Sequence, residues 1–234
     1  MRTRLFANGA GQFSLPADFC CDKQSAMLNA GLTGGIGTGK STVSRLFRDK
    51  GAVVIDFDDL VHDIQSPGTA TWQAIVDAFG REILNDDDTI DRVRLGSIVF
   101  RDRTQRSTLT DIVHPAVFAA WRERIVSLKG EGWRNIVISD IPLLFETDCG
   151  HLFDVTILVY ASRETQIKRI MHRNHISREE ALMRLHSQMP IDEKRSLADI
   201  VIENDGDLTI TRKTVDHVWQ ILRDRERSFT HHSE

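Results

Sequence analysis

Disulfide frameworks, cysteine-rich metal sites and a broad basic surface are all poorly supported by this sequence. Its 234 residues include three cysteines, Cys20, Cys21 and Cys149, an odd number without the repeated spacing of a disulfide scaffold or a zinc site. The net charge is −4, so we expect no nucleic-acid partner held by a basic face. These shortages favour a reduced, cytoplasmic protein whose partner is a small molecule.

Long apolar runs are also missing. No stretch approaches the roughly 18 apolar residues that a membrane-spanning helix needs, so we expect no membrane partner. Residues 1–26 carry Arg2 and Arg4 but no apolar segment of signal-peptide length. We interpret them as a disordered extension, with organelle targeting as the open alternative. Nothing in the composition demands an oligomer, and we expect a monomer or a weak homo-oligomer.

Segments typical of strands and helices alternate from Met27 onward, and this alternation predicts an α/β fold with a parallel sheet. The predicted strands are 28–32, 52–55, 135–139, 155–160 and 200–202. Residues 60–129 show helical spacing instead, with Trp72, Ile75, Val76 and Phe79 at i, i+3, i+4 and i+7. The predicted folded domain, 27–226, comprises a core (27–59, 130–163 and 197–226), a helical insertion (60–129) and a helical segment (164–196), followed by a flexible tail (227–234).

A glycine-rich loop carries the first chemical signal. Gly34-Gly35-Ile36-Gly37-Thr38-Gly39-Lys40-Ser41 matches G-x-x-x-x-G-K-[ST] and lies between a predicted strand and a predicted helix over about 40–49. The glycines let backbone N–H groups converge on phosphate oxygens, and the helix N-terminus adds partial positive charge. Lys40 can reach the β- and γ-phosphates, and Ser41 can bind Mg²⁺. The loop therefore predicts a P-loop NTPase three-layer fold with an ATP site at residues 34–42, including Thr42, and Mg²⁺ as cofactor.

Carboxylates follow two of the predicted strands. Asp56 and Asp58 come after the second strand, where ligands bind in open α/β sheets, and could accept a hydroxyl proton or hold Mg²⁺ through water. Asp59 lies beside them, and a helix N-cap is the alternative for each alone, with Asp58 or Asp59 the better caps. Asp140 ends the third strand as a metal ligand or as a turn residue, and the two readings stay open. We select Asp58 as catalytic, and Ser41, Asp56 and Asp140 as metal ligands.

Arginines concentrate on two predicted helices between two core strands: Arg163, Arg169, Arg173, Arg178 and Arg184. Ser177 with Glu180 forms a capping-box signature for the second of these helices. Small P-loop kinases place a mobile lid here, and lid arginines stabilise charge on the transferring phosphoryl group. Solvated surface charge is the alternative for each, and only Arg173 and Arg184 are selected. His114-Pro115 predicts a helix start at this point, with proline at the first helical position.

Several segments together resemble the dephospho-coenzyme A kinases over about residues 27–225. The matching runs are Leu-Thr-Gly-Gly-Ile-Gly-Thr-Gly-Lys-Ser-Thr at 32–42, Ile-Asp-Phe-Asp at 55–58, Val-His-Pro at 113–115, Ile-Pro-Leu-Leu-Phe-Glu at 141–146 and Ala-Asp-Ile-Val-Ile-Glu-Asn at 198–204. The resemblance implies transfer of the ATP γ-phosphate to the ribose 3′-hydroxyl of dephospho-coenzyme A, a helical substrate domain and a closing lid. It implies these roles: Asp58 as base, Arg92 and His114 facing the acceptor, Arg173 and Arg184 in the lid, and Asn204 at the adenine end of ATP.

One residue departs from the resemblance, since Phe57 replaces the small residue usual between the two aspartates. The nearest alternative function is another small-molecule P-loop kinase, with a nucleoside, sugar or shikimate-like acceptor. A regulatory GTPase should carry N-K-x-D to recognise guanine, and the sequence has none. An ATP-binding module without transfer activity is opposed by Lys40, Ser41 and Asp58 together.

Overall fold

The computed structural model describes residues 27–133 and 135–230. The extension predicted for residues 1–26, and residues 231–234 of the predicted tail, lie outside the described residues. The described chain divides into two compact units. One is Asp56–Gly130, and the other combines residues 27–55 with residues 131–133 and 135–230.

A five-stranded sheet forms the core of the second unit. Its strands are β1 (Asn29–Gly34), β2 (Val53–Asp56), β3 (Val137–Asp140), β4 (Val155–Tyr160) and β5 (Ile200–Glu203). Their spatial order is β2-β3-β1-β4-β5, and the pairs β1–β3, β1–β4 and β4–β5 are parallel. Every residue of β1 and β3 is buried, as expected for strands covered on both faces. The predicted α/β fold is therefore confirmed.

Nine α-helices occur within the described residues: α1 (Lys40–Asp49), α2 (Phe57–Ile64), α3 (Ala70–Phe79), α4 (Arg92–Arg101), α5 (Arg103–Gly130), α6 (Arg163–Asn174), α7 (Arg178–His186), α8 (Ile191–Leu197) and α9 (Leu208–Thr230). Helix α7 begins with the predicted capping box, in which Ser177 and Glu180 exchange side-chain and backbone hydrogen bonds. Helix α8 is an additional short helix in a segment where two were predicted. No helix in the described chain is both long and apolar enough to cross a bilayer.

Helices α1 and α9 bury apolar side chains against the sheet. Phe47 of α1 is fully buried, and its ring centroid lies 6.4 Å from that of Trp219 in α9. Both residues belong to one apolar cluster with Leu28, just before β1, and with the strand residues Leu32 and Ile157. This packing fixes α1 on the sheet and so fixes the loop that immediately precedes α1.

An aromatic cluster organises the helical unit Asp56–Gly130. The ring centroid of Phe57 lies 5.5 Å from that of Phe118 and 6.2 Å from that of Trp121, and Phe57 packs edge-on against Phe118. Aromatic pairs of this kind contribute about 0.5–1.5 kcal/mol beyond the area that they bury. The side chain between the two aspartates, which departs from the family pattern, therefore joins the start of α2 to α5.

The predicted helix start at His114-Pro115 is wrong. Helix α5 runs through this point, and Pro115 lies inside it. Proline lacks the N–H that would bond the carbonyl of Asp111, which ordinarily disfavours an interior position. The apolar face of the helix continues on both sides of the proline, with Leu109, Val113 and Val117 all buried. Burial of this face holds the helix together across the missing bond.

The start of the flexible tail predicted at residue 227 is also too early, because α9 continues to Thr230. Residues 226–230 contain no glycine or proline that would end a helix. Glu226 is buried, and Arg227 pairs with Asp224 one turn earlier at 3.7 Å.

Candidate functional site

The glycine-rich loop joins the end of β1 to the start of α1. Gly39, the residue before α1, has a left-handed backbone with φ of 88°, and Gly37 has φ of 81°. The first helical hydrogen bonds are donated by Thr42 and Val43 to the Gly39 carbonyl. The backbone N–H groups of Lys40 and Ser41 therefore precede the helical bonding pattern, and such groups bind anions at a helix N-terminus.

Space as well as backbone conformation requires glycine at position 39. A Cβ atom on Gly39 would lie 2.2 Å from Nδ2 of Asn204, far inside van der Waals contact. Asn204 is buried and cannot easily withdraw, because its Nδ2 donates to the Thr38 carbonyl at 2.6 Å and its Oδ1 accepts from Thr211 Oγ1 at 2.6 Å. The Asn204 amide thus packs directly against the loop and binds its backbone.

Lys40 and Asp140 form an ion pair in the interior of this site. The Lys40 Nζ atom contacts Oδ1 of Asp140, and the side chains are 9% and 4% exposed. Asp140 is the last residue of β3 and pairs in register with Leu32 of β1, which leads into the glycine-rich loop. Removing two charges from water is costly unless they compensate each other, so each group fixes the position of the other.

Arg169 of α6 also holds the loop, although the sequence did not single it out from the other arginines. Its Nη2 donates to the Asn204 carbonyl at 2.8 Å, and its Nη1 donates to the carbonyls of Gly37 and Thr38 at 3.4 and 3.3 Å. Gln166, Arg169 and Ile170 share one helical face, but the burial of Gln166 and Ile170, which distinguishes this face from the others, is visible only in the fold.

Two further polar contacts were missed because their partners are remote in sequence. Gln188 Oε1 accepts a hydrogen bond from the Ile36 N–H at 2.8 Å, so this N–H of the phosphate loop is already engaged. Lys194 of α8 is fully buried, and its Nζ lies 2.6 Å from Oε1 of Glu146. A completely buried lysine is rare without a counter-ion, and Glu146 supplies the opposite charge.

The selected lid arginines occupy exposed positions. Arg173 lies near the end of α6 and donates through Nε to Asn174 Oδ1 at 3.1 Å. Arg184 is exposed in the last turn of α7. Both are therefore accessible to solvent in this structure, in contrast to Arg169, whose guanidinium is engaged by the loop.

The cap of α2 is not the aspartate that the sequence favoured. Asp56, and not Asp58 or Asp59, caps α2, because its Oδ1 accepts from the Asp58 N–H at 2.9 Å. Asp58 lies in the first turn of α2 and is half-buried. Its carboxylate is therefore not used as the cap of α2.

The two residues selected for acceptor binding lie in the same helical unit. Arg92 is the first residue of α4, and its Nη2 atom lies 3.0 Å from Nδ1 of His62 in α2. His114 is half-buried in α5, and burial lowers its pKa below the ordinary value of 6.5, partly offset by the charge of Asp111. A lowered pKa favours the neutral imidazole, which can both donate and accept a hydrogen bond.

The donors around the loop are hard oxygen atoms, which suit Mg²⁺. Ser41 presents an exposed hydroxyl in the first turn of α1, and Asp140 presents a carboxylate at the end of β3. Within residues 27–133 and 135–230, no group of three or more His, Cys, Asp or Glu side chains could hold a metal ion.

Comparison with known proteins gives a consistent result. A family described as "Dephospho-CoA kinase" matches residues 28–209. The chain is 46% identical over 213 residues to a dephospho-CoA kinase of Syntrophus aciditrophicus, covering 91% of each protein. It is also 46% identical over 185 residues to one from Carboxydothermus hydrogenoformans, covering 79% of this chain and 89% of that relative.

Solved structures agree with the sequence matches. A dephospho-CoA kinase from Campylobacter jejuni matches with a TM-score of 0.64 and 30% identity, covering 85% of this chain and 99% of its own. A crystal structure from Thermus thermophilus matches with a TM-score of 0.72 and 34% identity, covering 83% and 97%. A shikimate kinase from Acinetobacter baumannii, at 16% identity and a TM-score of 0.50 over 85% and 94%, shows a shared fold alone.

Proposed function

The chain belongs to the dephospho-CoA kinase family, and we propose that it transfers the γ-phosphoryl group of ATP to the ribose 3′-hydroxyl of dephospho-CoA. The products are CoA and ADP, which makes this the last step of CoA biosynthesis. The glycine-rich loop that leads into Lys40, with Asp140 as the counter-ion of that lysine, is the structural observation that carries the proposal. The alternative of a shikimate-like acceptor rests on fold similarity alone and is not favoured.

In the proposed reaction, residues 34–42 bind the phosphates of ATP. The backbone N–H groups at the start of α1 and the Lys40 ammonium supply positive charge beside the phosphate oxygens on which negative charge develops during transfer. Lys40 is paired with Asp140 in the structure, so a bound phosphate shares a positive charge that is already held in position. Asn204 directly follows β5 and donates to the Thr38 carbonyl of the loop. It is the residue proposed to lie at the adenine end of ATP.

Mg²⁺ is the proposed cofactor. When bound, it neutralises charge on the phosphate oxygens during transfer. The residues proposed to hold it are Ser41, Asp56 and Asp140, with the carboxylates contributing through water. Asp140 would combine this role with that of the Lys40 counter-ion.

The remaining roles are assigned to polar side chains of the helices. Asp58 is the proposed base, which accepts the proton of the attacking hydroxyl or orients it. Arg92 and His114 are proposed to bind the acceptor, in keeping with a His114 pKa that favours the neutral ring. Arg173 and Arg184 are proposed to stabilise the transferring phosphoryl group. The proposed setting is the cytoplasm, with a monomer or weak homo-oligomer as the acting form.

The purified protein, given ATP and Mg²⁺, should be offered dephospho-CoA, adenosine, shikimate and gluconate in parallel while ADP release is followed. The proposal expects acceptor-dependent ADP release with dephospho-CoA alone, together with formation of CoA. ADP release with another acceptor, or at the same rate with no acceptor, would refute the dephospho-CoA assignment.

A further inference from the structure

Ile36 connects the phosphate loop to helices α6 and α7. Its side chain is 9% exposed and belongs to an apolar cluster with Ile167 and Ile170 of α6 and Ala181 of α7. Apolar residues of both helices and of the turn between them pack on this cluster: Met171, Ile176, Leu182 and Leu185. A residue in the middle of the phosphate-binding motif is thus built into the apolar core of the predicted lid.

The backbone of Ile36 is held by the same region. Its N–H donates to Oε1 of Gln188 at 2.8 Å, and Gln188 is only 9% exposed. Gln188 is the second residue after α7, and its own N–H donates to the Leu185 carbonyl at 3.1 Å. Both the side chain and the amide of Ile36 are therefore fixed by the α6–α7 segment.

The chain after Gln188 is anchored independently. The Met189 N–H donates to Glu146 Oε1 at 3.2 Å, and Lys194 of α8 contacts the same oxygen at 2.6 Å. Gln188 consequently stands between two fixed points, the end of α7 and the Glu146 carboxylate. Its amide oxygen has little freedom to leave the Ile36 N–H.

We propose that Gln188 is a positioning residue for phosphoryl transfer, acting through the Ile36 N–H on the shape of the phosphate loop. The inference rests on the proposed function for the reaction that it reports. Loss of the acceptor would leave a buried N–H without a partner, and the loop would shift to satisfy it. Small displacements of a reacting group slow transfer strongly, since misplacement of about 1 Å can reduce a rate about 100-fold.

Gln188→Met tests the inference, because it keeps the size of the side chain but removes the amide oxygen. We expect kcat for CoA formation to fall about tenfold or more, while KM for dephospho-CoA stays within about twofold. Hydrogen exchange at the Ile36 amide, measured by NMR without nucleotide, should accelerate about tenfold. Ser187→Ala is the matched control, since its Oγ donates to the Arg184 carbonyl and it should retain wild-type values.

A kcat of Gln188→Met within twofold of wild type, with a faster-exchanging Ile36 amide, would overturn the inference. If Gln188→Met does not fold, Gln188→Leu replaces it, because it also removes the amide oxygen from this buried position. A faster-exchanging Ile36 amide with kcat at least tenfold lower then supports the inference, and a faster-exchanging amide with kcat within twofold of wild type contradicts it. Should wild type fail to use dephospho-CoA, the proposed function alone fails, and the same comparison uses whichever acceptor of the panel releases ADP.

Discussion

The Lys40 ammonium and the Asp140 carboxylate form a buried ion pair that joins the first residue of α1 to the last residue of β3. The pair holds a positive charge beside the phosphate-binding loop and a negative charge at the carboxyl end of β3. One partner suits a phosphate and the other suits a cation, so the two halves of a metal–nucleotide complex meet complementary charges.

Asp140→Asn should therefore weaken the response to Mg²⁺ more than the binding of nucleotide. We expect the Mg²⁺ concentration for half-maximal rate to rise about tenfold or more, which is the size of effect found when a residue that supports a metal site is changed. Initial rates measured across a Mg²⁺ titration at saturating ATP provide the test. Asp86→Asn, on the exposed surface of the helical unit, serves as control, and an unchanged Mg²⁺ requirement in Asp140→Asn would remove Asp140 from the metal site.

Asp58→Asn should lower turnover strongly and leave ATP affinity nearly intact. The change keeps the shape of the side chain but removes its capacity to accept a proton, and general-base contributions are typically 10²- to 10⁴-fold. Steady-state kcat and the dissociation constant of ADP, measured side by side, separate the two effects. Asp63→Asn, exposed on the same helix, should match wild type in both measurements. A fully active Asp58→Asn protein would exclude Asp58 as the base.

The elements around the phosphate loop were predicted from sequence because their signals are local. Helix α1 and strand β4 have the predicted bounds, since Lys40 follows a glycine-rich turn and residues 155–160 are an almost continuous apolar run. The capping box that starts α7 needs only four consecutive residues. Local signals fail where packing overrides them, as at Pro115, where a buried helical face continues through a residue that usually starts a helix.

The contacts that hold the loop could not be predicted, because they join distant parts of the chain. Gln188 is 152 residues from Ile36, and Arg169 is 131 residues from Thr38. No local pattern marks a glutamine as the partner of a particular N–H far along the chain. The chemistry-bearing residues of the phosphate loop were therefore predictable, whereas the residues that position them required the fold.

Gly39→Ala should destabilise the protein more than Gly51→Ala does. Both glycines have positive φ, 88° and 95°, so each alanine adopts a left-handed backbone at a cost of about 1–2 kcal/mol. A Cβ atom meets nothing within 4 Å at Gly51 but lies 2.2 Å from Asn204 Nδ2 at Gly39. The difference in unfolding free energy between the two variants, measured with urea, isolates the steric clash. Equal destabilisation of the two variants would mean that Asn204 moves freely. ADP affinity should fall in Gly39→Ala and stay unchanged in Gly51→Ala.

The ion pair between Lys194 and Glu146 predicts a strong coupling. Glu146→Gln should lower the free energy of unfolding more than Lys194→Met does. It removes the negative charge beside a fully buried ammonium, at a cost of about 3–5 kcal/mol. Glutamine still offers an oxygen to the Met189 N–H, so the loss reports mainly the charge. Adding Lys194→Met to Glu146→Gln should recover about 1 kcal/mol or more of unfolding free energy, since it removes the buried ammonium as well.

Urea unfolding of the two single variants and the double variant measures this coupling. The exposed pair of Arg178 with Glu164 provides the control cycle, in which the coupling should be much weaker because solvent screens both groups. Strictly additive losses at Lys194 and Glu146 would show that the two groups do not compensate each other.

His114 should make folding stability depend on pH. Burial lowers the pKa of His114, so the folded state disfavours the protonated ring, whereas the unfolded chain takes up the proton near the ordinary value of 6.5. The unfolded state therefore binds more protons as the pH falls through about 6.5, and stability decreases in that direction. Relative to His114→Gln, wild type should lose unfolding free energy between about pH 7.5 and pH 5.5.

Asp111→Asn should steepen the loss, because the Asp111 charge raises the His114 pKa and partly offsets burial. A parallel pH dependence in wild type and His114→Gln would show that the ring is protonated equally in both states, and would remove the reason for a neutral His114 at the acceptor.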